Sequence, residues 1–162
     1  MTIALIAILT PSDFERKLTL GRARLTAVCG GDIELGTFGA ILRFAIEMEE
    51  RAAAFYEAAA QGALAEPFRE LMRASRRRKQ RLERARREGI AEMILESISG
   101  LDDAAYHTPL DPQADEAAWQ RQASALQEAA ARFYRDAAAK MPIPEIRRLF
   151  QQLAKENEER QA

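Results

Sequence analysis

The 162-residue chain carries a formal net charge of -1 and one cysteine, Cys29. The near-zero charge argues against a general affinity for nucleic acid, and a single cysteine excludes an internal disulfide and a four-thiolate iron site. The composition, 48% hydrophobic and 30% charged, is typical of one helical domain.

Residues 1–36 differ from the rest of the chain. The opening run MTIALIAIL lacks a basic segment and a cleavage site and is too short to cross a bilayer, so we expect neither a signal peptide nor a membrane span. Ser12 and Glu15 form a capping-box pattern that predicts a short helix from about Asp13 to Val28. We predict an N-terminal arm over 1–36, either packed on the domain, poorly ordered or the product of an upstream start codon, and a helical bundle over 37–162.

The first long helix is predicted from about Thr37 to Gln61, with Thr37 as its N-cap and Gly62 as its stop. Glu49 lies beside its apolar face, and Tyr56 follows two turns later on the same side, so a carboxylate and a phenol should both point toward the neighbouring helices. The apolar residues recur at three- and four-residue steps: Phe38, Ile41, Leu42, Ala45, Met48, Ala52 and Phe55.

A second helix is predicted from about Glu66 to Ser97 and contains the basic run Arg73–Arg87. We interpret this run as a solvated face that glutamates partly neutralise. Aromatic stacking residues and a helix-turn-helix pattern are missing, so specific nucleic-acid recognition is not expected; binding of the basic face to nucleic acid or to acidic partners is a further alternative. The predicted inner residues are Phe68, Leu71, Met72, Ser75, Leu82, Ala85 and Met93.

A loop rich in Asp and Pro begins at Gly100, and its length predicts a connection along the bundle or over its end. Tyr106 and His107 are interpreted as ordinary loop residues, one of them packing on the core. Helix three is predicted over Gln113–Lys140 and helix four from Pro144 to about Arg160. Their predicted inner residues are Trp119, Ala123, Leu126, Ala130, Phe133, Ile146, Leu149, Phe150 and Leu153.

The third helix repeats a block of the first. SALQEAAARFYRDAAAK can be laid on the region around AIEMEERAAAFYEAAA, which suggests a duplicated helix pair. The aligned residues are Glu49 with Gln127, Glu50 with Glu128, Phe55 with Phe133 and Tyr56 with Tyr134.

AIEMEERAAAFYEAAA resembles the first helix of the rubrerythrin-like branch of the ferritin-like superfamily, and REGIAEMILESISGL resembles the end of its second helix. The resemblance covers roughly Thr37 to Arg160. It implies an all-α, ferritin-like antiparallel four-helix bundle with a long loop between helices two and three. It also implies a di-iron site built from one Glu on each of two helices and Glu-x-x-His on each of the other two.

When the sequence is aligned with this pattern, only Glu49 matches an implied ligand, and other residue types replace the rest. The other positions hold Gln127 on the third helix, Ser75 and Arg78 on the second, and Asn157 and Arg160 on the fourth. The only histidine, His107, lies in a predicted loop. Iron between helices needs several anionic oxygens, so we predict a degenerate di-iron site with no catalytic residue and no cofactor.

We hypothesise that Arg78, Glu49 and Arg160 form a buried cluster at the position of the metals, tied in by neighbouring polar groups. The alternative has both arginines turned to solvent and Glu49 half-buried. The neighbouring groups are Ser75, Tyr56, Gln127 and Asn157, with Tyr134, Glu50 and Glu128 nearby.

The favoured function is therefore a non-catalytic structural or interaction protein in the cytoplasm, a homodimer as many ferritin-like proteins are, with an unknown protein partner. The alternative is a metal-binding oxidoreductase, a peroxide reductase or iron oxidase of the rubrerythrin type, using an atypical or intersubunit iron site. Four glutamates could hold one weakly bound divalent cation, namely Glu47, Glu49, Glu50 and Glu128.

Overall fold

The computed structural model describes residues 35–89 and 97–160, which form four long helices and no strand. The helices are α1 (Phe38–Ala59), α2 (Ala65–Gly89), α3 (Glu116–Lys140) and α4 (Pro144–Glu158), with short 3-10 turns at Gly62–Leu64 and Asp103–Tyr106. The predicted arm helix, Cys29, Met93 and the predicted end of the second helix lie outside the described residues.

The helices form the predicted ferritin-like antiparallel bundle. Helix α1 packs on α2 and on α3, and α3 packs on α4. On α1, Glu49 comes before Tyr56, whereas their neighbours on α3 come in the reverse order. Glu49 contacts Tyr134, and Tyr56 lies beside Gln127, so α1 and α3 run in opposite directions. Helices α2 and α3 therefore run in the same direction, and the chain between them has to return along the bundle. This geometry confirms the long connection predicted between the second and third helices.

Local capping explains where the helices begin. The Thr37 hydroxyl accepts a hydrogen bond from the Ala40 amide at 3.1 Å, as predicted for an N-cap. Helix α3 starts at Glu116 rather than at the predicted Gln113, because Asp115 caps it by accepting from the Ala118 amide at 2.7 Å. Short polar side chains that bond nearby amides favour caps and turns over helix interiors, so the helix is shorter than its pattern predicted.

Two apolar clusters make up the core. The larger contains Leu42, Leu82, Phe133 and Phe150, and the smaller contains Ala52, Phe55, Phe68 and Leu126. Most of the predicted inner residues that the structure describes are buried. The four exceptions are half-buried and are Leu71, Met72, Trp119 and Leu149.

The chain enters the bundle slightly before the predicted boundary at residue 37. Leu35 is buried in the larger cluster, and its amide donates to the Leu101 carbonyl at 3.3 Å. The Ile98 amide in turn donates to the Gly36 carbonyl at 3.0 Å. These bonds fix the start of α1 against the connection that follows α2.

Tyr106 is the loop residue that packs on the core. Its ring lies edge-on to Phe133 at a centroid distance of 5.2 Å, and its hydroxyl donates to Asp136 at 2.8 Å. His107 is exposed, and its Nδ1 lies 3.0 Å from the Arg51 Nη1. The expectation that one of this pair packs on the core is confirmed.

The basic run of α2 lies mainly on the exposed side of that helix, as predicted for a solvated face. Its charges are partly neutralised across the α1–α2 interface, since Arg76 pairs with Glu57 at 3.0 Å and Lys79 with Glu50 at 3.3 Å. None of the helices described combines the length and the apolar character that crossing a bilayer requires.

Candidate functional site

A buried ion pair joins α1 to α2 at the middle of the bundle. Glu49 is 1% exposed and Arg78 is 4% exposed, and the Arg78 Nε donates to the Glu49 Oε1 at 2.8 Å. The neighbouring residues Met48 and Ala52 belong to the two different apolar clusters. The ion pair therefore forms a polar layer between the two halves of the core.

Two further side chains form hydrogen bonds with this pair. The Tyr134 hydroxyl donates to the same Glu49 oxygen at 2.7 Å, and the Arg78 Nη2 donates to the Ser75 Oγ at 2.9 Å. Ser75 stands one helical turn before Arg78, so both side chains lie on the same face of α2. The Glu49 carboxylate is thus held by one guanidinium and one phenol from different helices.

The duplicated helices place a second polar contact opposite the first. Gln127 on α3 lies beside Tyr56 on α1. The repeat aligns Glu49 with Gln127 and Tyr56 with Tyr134, so the Glu49–Tyr134 and Tyr56–Gln127 pairs hold equivalent positions in the two repeated blocks. Both contacts lie in the polar layer, which draws on three helices.

The burial of these groups perturbs their proton affinities. Desolvation raises the pKa of Tyr56 to about 12, although the Gln127 hydrogen bond and the nearby Arg78 act in the opposite direction. Desolvation, followed by the charge of Glu49, raises the pKa of Tyr134 well above its usual range. Burial opposes the charge of Arg78, but the charge and hydrogen bond of Glu49 outweigh it and raise the pKa of the guanidinium. The Arg78 guanidinium stays charged and both phenols stay neutral at physiological pH.

One donor group of the layer is left without an acceptor. The Arg78 Nη1 is buried and has no hydrogen-bond partner among the described residues. A buried charged donor without a partner costs about 1–3 kcal/mol or more, so this nitrogen is the part of the layer where a small ligand would gain most.

The structure departs from the hypothesised cluster at α4. Asn157 is buried, but its amide nitrogen donates to the Leu153 carbonyl of its own helix at 2.8 Å. Arg160 is exposed rather than buried, because α4 ends at Glu158 and leaves this side chain in the final turn. Its charge still acts on the Tyr56 hydroxyl. The buried ion pair thus contains one arginine, Arg78. The predicted Arg-Glu-Arg cluster was wrong about Arg160.

The acidic residues proposed for a weak cation site do not converge either. Glu50 is exposed and pairs with Lys79, Glu47 is exposed and lies 3.9 Å from Arg43, and Glu128 is exposed on α3. Within residues 35–89 and 97–160, no group of three or more His, Cys, Asp or Glu side chains is placed to share a metal ion.

A di-iron centre does not fit the residues at this position. Glu49 already accepts two hydrogen bonds on one oxygen, and the guanidinium beside it repels any added cation. The neutral groups that remain, such as the Gln127 amide and the Ser75 hydroxyl, are weak ligands for iron compared with carboxylate or imidazole.

The sequence-based prediction connected Tyr56 to the ion pair and placed Tyr134 only nearby. In the structure, Tyr134 donates the hydrogen bond to Glu49. The signal was present in the repeat, because antiparallel packing brings the beginning of one repeated block to the end of the other. Glu49 therefore faces Tyr134, and Gln127 faces Tyr56.

Comparison with known proteins agrees with this architecture. The ferritin-like domain family matches the chain over residues 39–161, which includes all four helices except the first residue of α1. No curated protein and no solved structure matches the chain. Since the family match covers most of the sequence, the chain belongs to the ferritin-like domain family.

Proposed function

We propose that this protein is a non-catalytic structural or interaction protein of the rubrerythrin-like branch, in which a side-chain ion pair replaces the di-iron centre. The observation that carries the proposal is the buried Arg78 guanidinium bound to Glu49, the single position that matches a family metal ligand. Five of the six aligned positions are buried, namely Glu49, Ser75, Arg78, Gln127 and Asn157. Of these, Asn157 bonds its own helix rather than the ion pair.

The chemistry of the layer supports a structural role. A general acid or base needs a pKa near the working pH, whereas burial moves the pKa values of Tyr56 and Tyr134 further from it. The Glu49 carboxylate is engaged with Arg78 and Tyr134, so it is not free to accept a substrate proton. An ion pair of this kind fixes the register of the two helices that it joins, which is the best-attested use of buried charges.

The surface supports an interaction role. Five partly buried apolar side chains pack against the smaller apolar cluster, which are Ala60, Leu71, Met72, Leu110 and Trp119. Partly exposed apolar side chains next to charged faces are common at protein interfaces. We expect a cytoplasmic homodimer, and light scattering on the purified protein tests the expected mass.

The test of the lost metal site is iron binding by the full-length protein. After anaerobic addition of ferrous iron and desalting, the wild-type chain should retain no stoichiometric iron. The matched variant restores the family ligands with five substitutions: Ser75→Glu, Arg78→His, Gln127→Glu, Asn157→Glu and Arg160→His. Because these positions align with the ligands of the family pattern, we expect the variant to retain up to about two iron atoms per chain.

Stoichiometric iron in the wild-type protein, together with peroxide reduction or ferrous oxidation, would contradict the proposal and establish the metal-binding oxidoreductase instead. A circular dichroism spectrum of each protein controls for folding, so that a loss of iron is not confused with a loss of the bundle.

A further inference from the structure

We propose that the polar layer binds a small monovalent anion at the Arg78 Nη1. The inference rests on the proposed function, because it requires the buried ion pair described there. It names a ligand that a guanidinium would bind and that a metal-binding side chain would not. The starting observation is that this nitrogen is buried, belongs to a side chain that is 4% exposed, and has no acceptor among the described residues.

The geometry of the guanidinium leaves donors for a second acceptor. Its five N–H donors form a planar fork, and Glu49 and Ser75 use one donor each, from Nε and Nη2. The two Nη1 donors point along other edges of the plane, so an acceptor on Nη1 does not have to touch the Glu49 carboxylate. Hydrogen bonds to a charged donor are about twice as strong as neutral ones, and an anion gains more from this donor than water does.

The local charge favours an anion over a neutral ligand. The charged Nη1 donor has no acceptor among the described residues, and the exposed Arg160 adds positive charge toward Tyr56 from the end of α4. The neutral phenol and the Gln127 amide next to it can donate further hydrogen bonds without carrying a competing negative charge.

The burial of Nη1 limits the ligand to a few atoms. Nη1 lies inside a helical bundle between two apolar clusters, so the suitable class is a halide or a compact oxyanion such as formate or nitrate. A bulky or divalent anion would need to carry more solvent or more charge into the same space.

Thermal unfolding of the full chain at constant ionic strength provides the test. Sodium bromide or sodium formate replaces the salt of a bulky organic anion, and the probes are these two anions themselves. We expect the Tm to rise in a saturable way, by about 5–10 °C at an anion concentration near a hundred times Kd. An equal Tm in small and bulky anions would overturn the proposal.

Two variants localise the effect. Arg78→Lys keeps a positive charge beside Glu49 but removes Nη1, so the saturable rise in Tm should disappear. Arg84→Lys, an exposed site on the same helix, should keep the full rise. A loss of the response in both variants, or in neither, would refute the assignment.

Crystals of the wild-type protein grown or soaked in bromide keep the proposal testable even if Arg78→Lys does not fold. An anomalous peak within hydrogen-bonding reach of Nη1 is the expected result, and its absence at saturating bromide would overturn the site. Iron analysis distinguishes a failure of this proposal from a failure of the proposed function. If the protein binds neither bromide nor iron, only the proposal of an anion site is refuted.

Discussion

Two neighbouring pairs of a glutamate with a basic residue link α1 to α2, and they differ strongly in burial. In the first, Glu49 and Arg78 lie 2.8 Å apart with side chains 2% and 5% exposed. In the second, one residue further along each helix, Glu50 and Lys79 lie 3.3 Å apart with side chains 64% and 28% exposed. A step of one residue turns a side chain by about 100°, which separates the core face from the solvent face.

Burial changes what an ion pair contributes to the stability of the bundle. At the surface, water solvates both charges whether or not they meet, so the pair contributes little. In the core, desolvation offsets much of the attraction, but each charge becomes indispensable to the other once both are buried. The buried pair therefore gives specificity of packing, and removing one member should be far more costly than removing both.

The largest effect is expected from Arg78→Met. This substitution leaves the Glu49 carboxylate buried without its cation, and the free energy of unfolding should fall by about 3–5 kcal/mol. The matched surface variant Lys79→Met should cost less than about 1 kcal/mol. Urea denaturation followed by circular dichroism measures both.

A double-mutant cycle checks the cause of that loss. Combining Glu49→Met with Arg78→Met should restore part of the stability, with a coupling free energy of about 1–3 kcal/mol. A surface cycle with Glu50→Met and Lys79→Met should give a coupling below about 1 kcal/mol. Equal couplings in the two cycles would argue that burial does not distinguish the pairs.

Alkaline pH should destabilise the buried layer selectively, because its two tyrosines are neutral in the fold. The unfolded pKa of tyrosine is about 10 and that of folded Tyr56 is about 12, so the fold binds more protons than the unfolded chain between these values. Stability should be unaffected by tyrosine below pH 10 and then fall by about 2–3 kcal/mol through Tyr56 alone as the pH rises to about 12.

Absorbance near 295 nm offers a direct measurement of tyrosinate formation. The three tyrosines, Tyr56, Tyr106 and Tyr134, all have pKa values raised mainly by burial. We expect no tyrosinate signal near pH 10 and a cooperative rise together with unfolding. A normal titration of even one tyrosine in the folded protein would contradict the observed burial.

Tyr134→Phe should have an intermediate effect. It removes a 2.7 Å hydrogen bond to a buried, ionised carboxylate and should cost about 1.5–3 kcal/mol. Tyr106→Phe is the matched control, since it removes a 2.8 Å bond to the half-buried Asp136 and should cost less. Chemical denaturation of the two variants provides the comparison, and a larger loss at residue 106 would reverse the ranking.

The smallest effect concerns the surface pair and salt. At about 1 M ionic strength the screening length falls to about 3 Å, so the stability difference between Lys79→Met and the wild type should shrink toward zero. Repeating the urea measurements at low and high ionic strength tests this expectation. A difference that stays constant would indicate that the alkyl chain of Lys79, rather than its charge, stabilises the interface.

Much of the fold could be predicted because its signals are local. The apolar spacing around Phe38 to Phe55 and the Thr37 cap define α1, and the echo of Tyr56 at Tyr134 indicates the repeated helix. Glu49 and Arg78 could be paired only through the family pattern, since nothing local in either helix specifies its partner.

The remaining features depend on tertiary geometry. Arg160 was expected in the core, but the end of α4 at Glu158 leaves it exposed, and the position of a final helical turn is poorly determined by pattern. The hydrogen bond from Tyr134 to Glu49 requires the antiparallel order of α1 and α3, which the repeat alone does not specify.

The most direct measurement of the central claim is a crystal structure of the wild-type protein grown with ferrous or manganous ions, using anomalous data at the metal edge. The account predicts the Arg78 guanidinium in hydrogen-bonding contact with Glu49 and no anomalous peak in the polar layer. Paired metal peaks bound by Glu49, with the Arg78 side chain displaced toward solvent, would contradict it.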